Sequence, residues 1–280
     1  MNTINSFSFQ GVNGAYSELA GKRIYPEASS IACKTFEEMF DCVRDGNANI
    51  ALVPIENSKA GRVADTHHLI PNSKLTIIGE YFLEVNHCLL APPDASINTI
   101  RRVHSHEQAI TQCRKNLIKY NKDMIVAADT AGAAKMVSEL NNKEDAAIAS
   151  DLAARIYNLK IIKSNFQDAN NNVTRFLIMS TKMSFVDVSE KDLMTTLVFQ
   201  VRSIPAALYK SLGGFASNGV NITKLESYVH PQGFDVAQFY IDFEGHSEND
   251  AVKLAIDEMK FFCKHFDILG VYKMSDFRKK

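Results

Sequence analysis

The sequence predicts an α/β protein of two regions, and three observations carry that prediction. From Phe7 to Tyr157, short apolar runs alternate with helical patterns, the rhythm of strands covered by helices. Thr181 to Asp192 is a polar stretch with the composition of an interdomain linker. Beyond it the order becomes β-α-β-β-α-β, the split unit of a ferredoxin-like fold. A chain of 280 residues, 46% hydrophobic and 22% charged, has room for two domains and a sizeable core.

A formal net charge of -1 and the lack of a basic stripe argue against nucleic acid or an anionic membrane as partner, so the expected ligand is a small molecule. Cys33, Cys42, Cys88, Cys113 and Cys263 form no CxxC pair and are odd in number, which predicts reduced core thiols in a cytoplasmic protein. Met1 to Gln10 lacks a signal pattern, and no apolar run approaches the length of a membrane span.

Phe7-Ser8-Phe9 alternates like a short strand and leads through Gly11 and Gly14 into a helical pattern. A strand, glycine loop and helix N-terminus offers backbone N–H groups to an anion. This G-x-x-G lacks the third glycine of the dinucleotide fingerprint and the GKS/T ending of a P-loop, so a tight turn is preferred over nucleotide binding. Thr35 and Glu38 form a capping box for a helix that Gly46 closes. Ile50 to Ile55 is a continuous apolar run, the pattern of a strand buried on both faces. It ends in Glu56-Asn57-Ser58, residues that serve either as turn formers or as ligand groups at a sheet's carboxyl edge. His67-His68 has no third ligand at metal spacing and reads as a solvated helix face.

Leu75 to Ile78 and Phe82 to Leu90 read as separate strands, the second crossing into another lobe before Pro92-Pro93. Ser105 is placed to cap a helix beginning at His106, with Gln108 completing an S-x-x-Q box, and the same helix start can meet an anion. Ile125 to Ala127 and then Asp129-Thr130 form a strand followed by a capped small-residue helix, and Ser150 caps the helix from Asp151 to Tyr157. Gathered round one cleft, these helix starts suit a compact anion with hydroxyls, not a metal or a flavin. In the C-terminal region the strands are Thr195 to Val201, Val220 to Tyr228, Val236 to Phe243 and Ile268 to Tyr272, with helices from Pro205 and over Glu248 to Phe262.

The stretch richest in chemistry is Asn172-Val173-Thr174-Arg175-Phe176, between an asparagine-rich loop and the apolar Leu177-Ile178-Met179. Thr174 brings an uncharged hydroxyl donor, Arg175 a planar fork for a carboxylate, and Phe176 an anchor in the core. The same residues also fit a plain strand start with a surface arginine.

Gly14-Ala15-Tyr16-Ser17-Glu18, Pro54-Ile55-Glu56-Asn57-Ser58, Ser105-His106-Glu107-Gln108-Ala109 and Asn172-Val173-Thr174-Arg175-Phe176, in this order, resemble the prephenate dehydratase family. Asn221-Ile222-Thr223-Lys224-Leu225-Glu226-Ser227 is similar to the ACT regulatory domain that follows the catalytic region in that family. The resemblance spans nearly the whole chain. It implies a two-lobed catalytic region over residues 1–182, similar in fold to type II periplasmic binding proteins, with its second lobe at about 83–165 and an ACT domain over 194–280. The implied reaction removes CO2 and water from prephenate to give phenylpyruvate, with neither cofactor nor metal. Thr174 and Arg175 become the catalytic candidates, and Asn57, Ser58, Ser105, Gln108, Thr130, Phe176 and Gly14 the substrate-binding ones. Ala207, Leu208, Asn221, Leu225, Glu226 and Ser227 become candidates for binding L-phenylalanine as effector, in a homodimer or homotetramer. The compared ACT domains carry Gly-Ala-Leu and Glu-Ser-Arg-Pro, whereas this chain has Ala206-Ala207-Leu208 and Glu226-Ser227-Tyr228-Val229. Alternatives are arogenate dehydratase, distinguished by a few pocket residues in Thr130 to Ala134, and a non-catalytic cytosolic amino-acid sensor.

Overall fold

The computed structural model describes residues 3–182, 186–229 and 237–279. The chain divides into two compact units, Met1–Arg62 with Phe82–Phe176, and Val63–Tyr81 with Leu177–Lys280. Elements run β1 (Ser6–Gln10), α1 (Tyr16–Ile24), β2 (Ser29–Cys33), α2 (Phe36–Arg44), β3 (Ile50–Asn57), β4 (Gly61–Arg62), α3 (Ala64–Leu69) and β5 (Thr76–Glu84). Then follow β6 (Cys88–Ala91), β7 (Arg102–Ser105), α4 (Glu107–Gln112), α5 (Arg114–Lys119), β8 (Asp123–Val126), α6 (Thr130–Leu140), β9 (Asp145–Ala149), α7 (Asp151–Ile156), β10 (Lys160–Lys163) and β11 (Val173–Ser180). The last stretch holds β12 (Leu193–Val201), α8 (Ala207–Ser217), β13 (Ile222–Val229), β14 (Ala237–Glu244), α9 (Asp250–Lys260) and β15 (Cys263–Lys273).

The first sheet has the order β2-β1-β3-β11-β5, with β4 added to β3. β1 pairs in parallel with both β2 and β3, as strands joined by helices must. The apolar run in β3 is fully buried from Ile50 to Val53. The second sheet, β10-β6-β9-β7-β8, shows how strand periodicity builds a core on both faces. Ala146 and Ile148 of β9 join Leu89 and Ala91 of β6 in one cluster, while Ala147 and Ala149 join Cys88 and Leu90 in the other.

The C-terminal sheet runs β13-β14-β12-β15, and its βαββαβ order makes it ferredoxin-like, as the sequence predicts. Phe199, Phe215, Phe239 and Phe243 fill its core with Val252, Ile256 and Met259 of α9. Val236, the expected start of a strand here, lies outside the described residues.

Local expectations hold where side chains meet their own backbone. Thr35 accepts from Glu38 N at 3.2 Å, the forward bond of the expected capping box, while Glu38 reaches back to Lys34 N at 2.8 Å, one residue before the cap. Asp129 accepts from Gly132 N at 2.6 Å and Ser150 from Ala153 N at 3.0 Å.

Other local expectations need correction. Leu75 to Ile78 and Phe82 to Leu90 divide differently from the expectation: β5 runs unbroken from Thr76 through Gly79 to Glu84, and Cys88 to Leu90 belong to a separate strand, β6. His67 is buried rather than solvated, at 1% exposure, with its ring edge-on to Tyr240 at 5.4 Å. Ser105 is not the helix cap. It ends β7 fully buried, donating to Ile148 O at 2.6 Å, and His106 takes the cap position, its Nδ1 accepting from Gln108 N at 3.3 Å.

Candidate active site

Within the first compact unit, a pocket of about 220 Å³ lies between residues of the two sheets' strand ends and helix starts. Its lining includes Asn57, Gln108, Thr130 and Thr174, all expected from the sequence, and also Tyr16, His87, His106, Gln112, Asp129 and Asn172. The volume is below the ~300–1,000 Å³ common for drug-sized ligands, so it suits a compact one.

β3 and β11 are neighbours, which brings Asn57 beside Thr174. Ser58 holds this junction. Its backbone N donates to Val173 O at 2.8 Å, and its hydroxyl donates to Asn171 O at 2.8 Å while accepting from Val173 N at 2.9 Å. Asn57 is fixed by its own oxygen, which accepts from Lys59 N and Ala60 N, each at 2.9 Å, in an Asx-type turn. That leaves Asn57 Nδ2 to donate to Thr174 Oγ1 at 2.9 Å and to Asn172 Oδ1 at 2.7 Å.

Asn172 Nδ2 in turn donates to Gln112 Oε1 at 2.6 Å, which His87 Nε2 also meets at 2.9 Å. On the far side of the imidazole, Tyr16 Oη lies 2.7 Å from His87 Nδ1. Burial pushes the His87 pKa down against the opposing pull of its Gln112 bond, so the ring is held neutral at pH 7. Burial, with Cys88, Cys113 and Asp151 nearby, pushes the Tyr16 phenol well above its usual value.

The remaining candidates serve the frame around the pocket. Arg175 follows Thr174 on β11, so strand alternation turns it to the opposite face. It is 1% exposed, with Nη1 at 3.2 Å from Glu56 Oε1 and its guanidinium 6.0 Å from the Phe82 ring centroid. Arg175 and Phe176 do not line the pocket among the described residues. Gly14 N donates to Glu18 Oε2 at 2.6 Å, so the helix start there already holds a carboxylate of its own chain. Gly14 O accepts from Ser150 Oγ at 2.6 Å, and at φ +90 an added Cβ would come 2.9 Å from Ala153. The glycine is needed where the loop before α1 packs on α7.

No cluster able to hold a metal ion occurs among the described residues. Nor is any helix among them long and apolar enough to cross a membrane.

A second cavity, about 660 Å³, belongs to the C-terminal unit and is lined by Arg202, Ala206, Ala207, Leu208, Tyr209 and Lys264 among others. Asn221, Leu225, Glu226 and Ser227 do not line it. Asn221 instead donates to Glu244 Oε1 at 2.9 Å beside the edge strand β13, where the other three lie.

The chain is similar to known proteins over most of its length. Residues 7–184 match the family model described as prephenate dehydratase. A bifunctional N-acyl-homoserine lactone acylase/prephenate dehydratase of Komagataeibacter europaeus is 45% identical over 280 residues, 100% of both chains. Arogenate dehydratase 2 of Petunia hybrida is 35% identical over 279 residues, 95% of this chain and 71% of that one. The solved prephenate dehydratase of Arthrobacter aurescens, in complex with L-Phe, matches with a TM-score of 0.87 and 29% identity over 97% of this chain and 90% of that one. With a family model covering more than half its length and a relative this similar from end to end, the chain belongs to the prephenate dehydratase family.

Proposed function

We propose that this chain converts prephenate to phenylpyruvate, in the route to L-phenylalanine. The observation that carries this reading is the state of the Thr174 hydroxyl. Its oxygen accepts from Asn57 Nδ2 at 2.9 Å, so its own proton is not spent there and remains for a group in the pocket it lines.

The reaction has a simple electron balance. The bond to the ring carboxylate breaks, its electron pair enters the ring, and the C–O bond to the 4-hydroxyl breaks as the ring becomes aromatic. The departing oxygen therefore needs a hydrogen-bond or proton donor, and Thr174 supplies it. Among the described residues the lining holds neither Arg nor Lys. A ring carboxylate left without a cation is not stabilised in the ground state, which favours its loss as CO2. Gln108, Gln112 and the Thr130 hydroxyl offer neutral donors for the side-chain carboxylate. Arg175 acts from behind β11, holding the strand rather than the substrate. We read the chain as a dehydratase alone.

A second reading, arogenate dehydratase, is favoured by Asp129, an acidic residue that lines the pocket while capping α6 and would suit an ammonium nearby better than a keto group. The C-terminal region, 194–280, is read as an ACT domain binding L-phenylalanine near Ala207 and Leu208. Its edge strands β13 and β15 leave Leu225 and Ile268 exposed, which supports pairing in a homodimer or homotetramer of a cytoplasmic enzyme.

The test is to give purified protein prephenate and, separately, arogenate, and to follow phenylpyruvate and phenylalanine. Phenylpyruvate from prephenate supports the first reading, and preference for arogenate the second. No product from either would leave a non-catalytic sensor.

A further inference from the structure

The hydrogen bonds around the pocket fix one another's direction. Asn57 Oδ1 is occupied by Lys59 N and Ala60 N, so Asn57 presents its amide nitrogen to Asn172 Oδ1. Asn172 must then present its own nitrogen to Gln112 Oε1. A carbonyl oxygen cannot donate, so His87 carries its proton on Nε2 and donates to the same Gln112 oxygen at 2.9 Å. The other ring nitrogen, Nδ1, is left as an acceptor for the Tyr16 hydroxyl at 2.7 Å.

Two donors therefore converge on Gln112 Oε1. This arrangement cannot relay a proton from Tyr16 to Thr174, because the carbonyl in its middle only accepts. What it does is lock the Gln112 amide in one orientation. Gln112 lines the pocket, and its Nε2 makes no hydrogen bond among the described residues. Thr174 needs no help from His87, since Asn57 is anchored independently by the turn at Lys59 and Ala60.

We infer that His87 is a positioning residue: it holds the Gln112 oxygen so that the Gln112 amide nitrogen faces the side-chain carboxylate of the substrate. This rests on the dehydratase reading above. Tyr16 completes the device by holding the imidazole from behind. A side chain that only fills space at this buried position would not separate binding from turnover.

The experiment compares His87→Asn and His87→Gln with wild type, measuring KM and kcat for prephenate together with the melting midpoint of each protein. Asn keeps an acceptor for Tyr16 but has no donor that reaches Gln112, whereas Gln places an amide nitrogen near the former Nε2. His87→Asn is expected to raise KM about tenfold or more, with kcat within about threefold, the pattern of a lost uniform contact to a charged group. His87→Gln should give a KM several-fold below that of His87→Asn. In a Gln112→Ala background, His87→Asn should raise KM by no more than about twofold, because the contact it positions is already gone. A His87→Asn KM equal to wild type overturns the inference, as does an equal penalty with and without Gln112, or a loss that tracks the melting midpoint in both variants. If wild type neither turns over prephenate nor is stabilised by it, the dehydratase reading falls and this inference with it. Activity in wild type with no His87 effect sinks the inference alone.

Discussion

Asn57 donates from its side-chain amide to the hydroxyl oxygen of Thr174 across 2.9 Å, while its own oxygen is held by the backbone of Lys59 and Ala60. In the proposed reaction, the hydroxyl that would meet the leaving group is thus oriented by a turn at the end of the neighbouring strand. Asn57→Ala removes that orientation while leaving the hydroxyl in place. Its kcat is expected to fall about 10- to 100-fold, part of the range for a positioned acid or base group. Steady-state kinetics with prephenate would check this, and an unchanged kcat would show that Thr174 is oriented by something else.

Arg175 sits one residue further along β11 at 1% exposure, beside Glu56. Arg175→Lys keeps the charge and loses the fork, so its cost should appear in folding stability, about 1–3 kcal/mol by urea denaturation. KM should stay within about threefold. A large rise in KM without loss of stability would return Arg175 to the substrate.

Much of the candidate site is legible because its polar side chains sit where polar residues end apolar runs. Asn57 follows the run from Ile50, Thr174 begins the run into Leu177, and Thr130 opens a capped helix. His87, Gln112 and Tyr16 carry no such local mark. His87 lies in the short link between β5 and β6, and its partners come from α1 and α4, so only tertiary packing joins them. Ser58, Ser105, Gly14 and Arg175 read as ligands because sequence shows a polar group but not whether the fold has already used it. The edge strands β2 and β10 were missed for another reason. Both are largely unburied, so neither carries a run of core residues.

Asp145, in the second sheet, accepts from Arg102 through two bonds of 2.7 Å each and from His104 Nε2 at 2.8 Å. The hydrogen bonds from Arg102, and after them that from His104, hold its carboxyl at about 2, below the ordinary 3.8, against the upward push of burial. A depressed folded value means stability present above the unfolded value and lost as pH falls through the folded one. Asp145→Asn should therefore cost about 2 kcal/mol at neutral pH. The gap to wild type should narrow below about pH 4 and close toward about pH 2. Denaturation at a series of pH values would show it, and a gap independent of pH would contradict the assignment.

Ala206 precedes α8 in the left-handed region, with φ 59 and ψ 25. A Cβ is strained there, so Ala206→Gly is expected to raise stability by about 1 kcal/mol despite the freer unfolded chain. The same exchange restores the Gly-Ala-Leu pattern beside the second cavity. Isothermal titration with L-phenylalanine would report whether affinity rises with it. A variant less stable than wild type would contradict the strain argument.

In the proposed reaction Thr174 donates to the departing oxygen. The most direct measurement is single-turnover formation of phenylpyruvate from prephenate by wild type, Thr174→Ser and Thr174→Val, with prephenate affinity measured alongside. Valine keeps the shape and removes the donor, so the rate should fall roughly 10²- to 10⁴-fold while affinity changes little, and serine should retain much of the rate. A valine variant that forms phenylpyruvate at close to the wild-type rate would contradict the account.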